Sequence, residues 1–333
     1  MSFQPTHVGL YFTQNDIETA RKEREKNDDL QTAWQWLLAT TGDVIKEKKP
    51  QNEDDEPQQV IKPTLSPLAQ LLNDALRYRF AEDKTAGERA VQVLQGGIGL
   101  QDAATFFDTV LVTLGAAHAF EMLRGNIPNH RAWLASFETF SASLLQAADD
   151  VPYLEKLWLI TLNIVSGVVL EDQTRFDTGV TAFRQVIDQD LHPEGYVKPL
   201  VVGENNSEVA FKGMVLACAA LTLAAEAATL AGENLWQYEN RDVGINTAVT
   251  YLVYYYFYPK KWRWGEDELT EDQTQAIFEQ MGAWIEISTR RANPRGVEIL
   301  LEDRRPFFNA SMGGLTTLTH FQTERRKKRG IFF

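Results

Sequence analysis

The chain has 333 residues, 44% of them hydrophobic and 24% charged, which is material for one large soluble core or two ordinary ones. Lys and Arg number 33 against 46 Asp and Glu, and the formal charge of −13 argues against a nucleic acid or an anionic membrane face as partner. The single cysteine, Cys218, excludes an internal disulfide framework and a thiolate zinc cluster, and the five histidines (His7, His118, His130, His192, His320) form no HxxxH or HxH pair, so no His-rich metal site is expected.

The opening MSFQPTHVGLYFTQND has no basic segment followed by an apolar one. The expected location is cytoplasmic for the chain as given, or secreted or periplasmic if a signal was removed. Apolar spacing then predicts a helix over Asp16–Ala39. Residues 46–59, KEKKPQNEDDEPQQ, carry charge and proline without an apolar face and read as a solvated loop or disordered insertion. Helical spacing resumes over Pro67–Phe80, Thr85–Gln95, Leu100–Arg124, His130–Ala148, Tyr153–Leu170, Gln173–Gln189, Ser207–Ala231, Asn246–Tyr256, Glu271–Arg290 and Gly296–Arg304. Gly and Pro mark the joints, among them Gly96-Gly97, Pro152, Pro193 with Gly195, Gly232 and Pro259. The stretch Val209–Ala231 is long enough to cross a bilayer, but Lys212, Glu226 and its alanine content favour a helix buried in protein. The run YLVYYYFY, Tyr251–Tyr258, is β-prone in composition, yet it continues the Asn246 segment without a break and is read as helix.

Ten or so helices without βαβ alternation give an all-α fold. No fixed repeat of 34 or 40 residues is present, which favours hairpins closed into an α/α toroid over an open solenoid. Residues 1–323 are taken as one toroid domain, with 46–59 inside it. Residues 324–333 form a basic tail that begins Glu324-Arg-Arg-Lys-Lys-Arg329.

Several phrases, in order, resemble the alginate-lyase-like polysaccharide lyases. They are THVGLYFTQNDIETARKE at the start, LLNDALRYRFAEDKTAGERAVQVL (71–94), LWLITLNIVSGVVLEDQTRFDTGVTAFRQVIDQDLHPEGYVKPLV (157–201), AALTLAAEAATLAGENLWQY (219–238) and RRPFFNASMGGLTTLTH (304–320). The resemblance implies an incomplete (α/α) toroid of about five to six helical hairpins. It also implies β-elimination on a uronic-acid-containing oligo- or polysaccharide without a cofactor. Such a reaction needs a neutraliser for the sugar carboxylate and a base for the C5 proton, often a tyrosine that can return the proton to the leaving oxygen. The sequence departs from the family pattern at three places. The Asn-His pair before the central Trp is replaced by Tyr153-Leu-Glu-Lys156-Leu-Trp158. The arginine position falls nearest Glu204, and the tyrosine position near Phe211. A toroid that has lost catalysis and binds carbohydrate or a protein partner is therefore the alternative.

The densest polar cluster is His192-Pro-Glu194-Gly-Tyr196-Val-Lys198, followed by Glu204-Asn205-Asn206. The lyase reading makes Tyr196 the base with Lys198 beside it, and Glu204 or Asn206 the carboxylate binder, while His192 and Asn205 touch substrate. Asn205 or Asn206 also fits the N-cap of the following helix. Tyr153 and Lys156 stand where the resemblance puts the Asn-His pair, so Lys156 is a substitute neutraliser or a surface lysine. Pro259-Lys-Lys-Trp262-Arg-Trp264 offers two indole faces and three cations, suited to a sugar subsite or to plugging the end of the ring. Arg305 matches the family's Arg-Pro and either reaches the cleft or pairs with an acidic neighbour. The expected partner is an acidic or neutral oligo- or polysaccharide, with neither nucleic acid nor membrane as a partner.

Overall fold

The computed structural model describes residues 3–48, 58–97, 103–292 and 296–321. Side-chain caps decide where many of its helices begin. Thr13 and Asp16 form a reciprocal capping box that opens α1 (Gln14–Glu23), and the Asn27 side chain accepts from the Asp29 and Leu30 amides to open α2 (Asp28–Leu38). The single helix expected over Asp16–Ala39 is thus two, because Asn27 satisfies the free amides of a second start. A further correction falls on 46–59: β1 (Val44–Lys48) pairs antiparallel with β2 (Gln58–Ile61), with Lys46 opposite Val60, so the ends of the charged stretch form a hairpin. Residues 49–57 and the basic tail lie outside the described residues.

Ser66 caps α3 (Pro67–Ala81), Asp83 caps α4 (Lys84–Gln95) and Thr105 caps α5 (Phe106–Leu123), which therefore starts later than the expected Leu100. Then come α6 (His130–Leu145), α7 (Tyr153–Leu170), α8 (Gln173–Gln185) with a π-turn at Val186–Asp190, the single turn α9 (Lys198–Val201), α10 (Ser207–Leu230) and α11 (Ile245–Phe257). The β-prone Tyr251–Tyr258 run is helical in all but its last residue. The helix expected over Glu271–Arg290 breaks at Gly282 into α12 (Glu271–Met281) and α13 (Trp284–Arg291). The described chain ends in α14 (Val297–Arg304), a small hairpin of β3 (Phe308–Asn309) and β4 (Gly314–Leu315), and α15 (Thr316–Thr319).

The helices pack as an α/α toroid. Successive contacts run from α3 to α5, α7, α10 and α13, while α4, α8 and α11 each pack beside the helix they follow or precede. The ring is completed by short pieces: α15 touches α13, α1 and α2, and α2 returns to α3. The tightest pair is α7 with α8. A Cβ on Gly167 would meet the Phe176 amide nitrogen at 2.6 Å, and one on Gly179 would meet Ile164 Cγ1 at 2.6 Å, so the backbones approach as only glycine allows. Three segments, Phe106–Asn126, Tyr153–Leu170 and Ser207–Leu230, are long and apolar enough to cross a bilayer, and in the ring most of each is buried against its neighbours. Trp158, Trp284, Phe120 and Phe211 are among the fully buried side chains, each worth about 1.5–3 kcal/mol of hydrophobic stabilisation.

The β3–β4 hairpin lies across the inside of this ring. Phe308 stacks on Trp36 of α2 at 4.4 Å, Gly314 faces Leu72 and Leu76 of α3, and the Ala310 carbonyl abuts Gly115 of α5. Gly313 faces Leu223 of α10 and Ile287 of α13.

Candidate active site

The loop between the π-turn and α9 is folded on itself. An antiparallel bridge joins Leu191 to Val197, the His192 amide donates to the Tyr196 carbonyl at 2.9 Å, and the Gly195 amide donates to the His192 carbonyl at 2.8 Å. Pro193 follows the first turn residue, and Gly195 takes a φ of +108°, where a side chain would also strike the Thr247 carbonyl of α11 at 2.6 Å. The sequence thus presses this loop onto α11 and fixes Tyr196.

Tyr196 is held on several sides. Its ring stacks on His192 with centroids 4.3 Å apart and planes at 16°, and lies 4.7 Å from Trp264. The Arg263 guanidinium sits 5.3 Å from the ring centroid and pairs with Glu194 of the same loop. The ring is 8% exposed, yet among the described residues no hydrogen bond engages its hydroxyl. Trp264 Nε1 donates to the Tyr251 hydroxyl at 2.8 Å, and burial pushes the Tyr251 phenol well above its ordinary pKa despite that bond. Beside these residues runs a groove of about 680 Å³, lined by Glu194 and the Asn246–Tyr255 face of α11.

The strand of chain carrying Arg263 and Trp264 is pinned to the start of α10. Ser207 Oγ donates to the Trp264 carbonyl at 2.7 Å, the Ser207 amide donates to Asp267 Oδ1 at 2.7 Å, and the Glu266 amide donates to the Asn205 carbonyl at 2.8 Å. The Ser207 amide holds the Asp267 carboxyl below the usual range.

The structure therefore brings together His192, Tyr196 and Trp264 from the sequence candidates, and gives the others different surroundings. Asn206 is the N-cap of α10, its Oδ1 accepting from the Val209 amide at 2.9 Å, and Glu204 Oε1 accepts from the Asn206 amide at 2.9 Å. One side-chain oxygen of each is thus engaged by backbone, and the Asn206 side-chain NH2 is not part of the cap. Trp262 is 8% exposed and packs edge-on against Phe211 and Tyr255, so its indole is taken up in packing. Tyr153 donates to Asp190 at 2.6 Å, and burial together with that carboxylate keeps its phenol protonated. Lys156 reaches the Asp149 carbonyl at 3.5 Å. Lys198 opens α9 and has no ion pair among the described residues.

Arg305 is elsewhere. Its guanidinium spans both oxygens of Glu286 at 2.7 and 2.8 Å and reaches Asp29 at 2.7 Å, in a setting where those carboxylates hold its charge more firmly than burial opposes it. The expectation that it reaches the cleft is corrected by these contacts to the acidic-neighbour alternative. The residues that sequence reasoning passed over are on α11: Thr247, Thr250, Tyr251, Tyr254 and Tyr255 fall at helical spacing on one stripe, with Tyr258 just past its end, which was a readable signal. Among the described residues no three His, Cys, Asp or Glu side chains gather as a metal site.

A model of the alginate lyase family matches residues 156–262, the stretch from the start of α7 through the Tyr196 loop, α10 and α11 to Trp262. The chain is alginate-lyase-like. Solved structures extend the likeness in fold to nearly the whole chain. A variant of alginate lyase A1-III complexed with tetrasaccharide superposes with a TM-score of 0.71 at 15% identity, covering 97% of this chain and 98% of that one. Alginate lyase A1-III from Sphingomonas species A1 gives 0.67 at 15% identity over 96% and 97%. An alginate lyase from Bacteroides ovatus gives 0.61 at 12% identity over 94% and 98%. No curated protein matches the chain by sequence. The alginate-lyase-like ring thus shares its fold with these lyases.

Proposed function

We propose that this alginate-lyase-like protein cleaves an oligo- or polysaccharide containing uronic acid by β-elimination, with Tyr196 as the base. The observation that carries the reading is the Tyr196 ring, clamped by His192, Trp264 and Arg263 while its hydroxyl stays unbonded among the described residues. A base must meet its proton at hydrogen-bond distance, and a fixed ring with a free oxygen is placed to do so. The Tyr196 oxygen takes the C5 proton, the C5–H electron pair becomes the C4=C5 double bond, and the C4–O4 bond breaks. The proton then passes to O4 of the leaving sugar. Lys198, without an ion pair among the described residues, is the cation assigned to the sugar carboxylate, since Arg263 is already engaged by Glu194. The oligosaccharide carried by the A1-III complex supports a saccharide as ligand of this fold.

One observation favours a binder without chemistry. Phe211, where the family resemblance places a tyrosine, is fully buried between Trp262 and Phe278 and has no proton to move. An ultraviolet-absorbance screen against polymannuronate, polyguluronate, glucuronan, pectate and hyaluronan separates the two. Absorbance from the unsaturated product, lost in Tyr196→Phe, is the expected result. Absorbance retained in Tyr196→Phe would move the base elsewhere, and a flat trace on every polymer would leave the binder.

A further inference from the structure

We infer that the outer face of α11 is a binding track for an acidic oligosaccharide, running from the Glu194–Arg263 pair past Tyr251 and Tyr254 to Tyr258 and Lys261. Four observations carry it. The first is periodicity: Thr247, Thr250, Tyr251, Tyr254 and Tyr255 form one stripe of α11 about 12 Å long at 1.5 Å per residue, and Tyr258 follows at the helix's C-cap, which gives length for more than one sugar ring.

The second is exposure of large rings. Tyr254 is 41% exposed and Tyr258 51%, and their ring centroids lie 5.0 Å apart with planes tilted at 40°, so an aromatic surface faces solvent at the C-terminal end of the helix. Such faces pair with the C–H faces of pyranose rings.

The third is charge. Lys261 Nζ stands 4.8 Å from the Tyr258 ring and 5.6 Å from Tyr254, fully solvent-facing and without an ion pair among the described residues. The neighbouring cations are taken: Arg263 pairs with Glu194, and Lys260 with Glu268 at 4.0 Å. Lys261 is thus the cation beside the two rings that no carboxylate pairs with among the described residues. A carboxylated sugar fits this better than a neutral one.

The fourth is polar lining: Asn246, Thr247 and Thr250 border the same groove and offer hydrogen-bonding groups to sugar hydroxyls.

The inference takes its saccharide class from the function proposed above and is independent of the elimination chemistry, since a protein that binds without cleaving would use the same track. The experiment is a calorimetric titration of the full chain with short polymannuronate and polyguluronate chains and, as neutral control, cello-oligosaccharides. The proteins compared are wild type, Tyr254→Ala/Tyr258→Ala, Lys261→Gln and Tyr196→Phe, each checked by thermal melting. The double variant is expected to bind the uronates about tenfold more weakly with an unchanged melt, because both rings stand in solvent. Lys261→Gln should weaken uronates about threefold and leave the neutral control unchanged. Tyr196→Phe should keep uronate binding, so a failed base assignment and a failed track give different results. Wild-type affinity in both track variants would overturn the inference, as would no binding of any uronate by wild type. Equal affinity for the neutral control would overturn the acidic class.

Discussion

Two regions of the ring hold comparable sets of charged and aromatic residues and use them in opposite ways. At the seam where the chain's early and late elements meet, each buried charge has several partners. Arg305 bridges Glu286 and Asp29, Thr317 donates to Glu286 at 2.9 Å, Arg291 takes both oxygens of Glu226, and Arg290 pairs with Asp16 at 2.6 Å. At the Tyr196 end the ring is anchored but, among the described residues, the Tyr196 hydroxyl and Asn246 Oδ1 have no hydrogen-bond partner and Lys198 and Lys261 have no ion pair. The difference teaches that residue type does not separate a structural cation from a site cation. What separates them is whether the surrounding fold already supplies the counter-charge.

The strongest way to break this contrast is at the seam. Glu286→Ala leaves Arg305 buried without its bidentate partner and should cost about 3–5 kcal/mol, read from urea unfolding followed by circular dichroism, with saccharide binding by the remaining folded protein unchanged. Acid is the next lever. Burial pushes His118 and His320 down to about 3, from an ordinary value near 6.5. Between those values the unfolded chain binds more protons than the folded one. The stability these groups contribute is therefore complete above about pH 6.5 and is lost as pH falls toward 3. His118 accepts from the Leu10 amide at 3.2 Å, and its Nε2 has no partner among the described residues. His118→Gln should flatten the fall in urea midpoint between pH 7 and pH 4.5, and an unaltered pH dependence would remove His118 from the account.

At the site end the effects should be smaller on stability. Asn206→Ala removes the α10 cap, in which Oδ1 accepts from the Val209 amide, and should cost about 1 kcal/mol while leaving any elimination rate unchanged, since Lys198 is the group proposed to meet the sugar carboxylate. A rate loss without a stability loss would return Asn206 to the carboxylate-binding role. Arg263→Ala should change stability by less than about 1 kcal/mol, because its pair with Glu194 is half in solvent. Its effect should appear in uronate affinity, as Glu194 would then face the ligand uncompensated.

Much of the ring was readable from periodicity. The bounds of α7 follow from Pro152 before its first residue and from the apolar run that ends at Leu170, and Ser66-Pro67 announces α3. The break between α1 and α2 was also written in the chain, as Asn27 followed by two aspartates, but continuous apolar spacing on either side masked it. The site was harder. The Tyr196 loop could be found as a dense polar stretch, whereas the Glu194–Arg263 pair joins positions 69 residues apart and the Arg305–Asp29 pair joins positions 276 apart. Nothing in local spacing reports such meetings, so Arg305 and Arg263 read alike until the fold assigns each its neighbours.

The β3–β4 hairpin has a mechanical corollary. It touches α2, α3, α5, α10 and α13, helices drawn from both ends of the chain, so it acts as a keystone: a shift of any one of them presses on the other four through the same few residues.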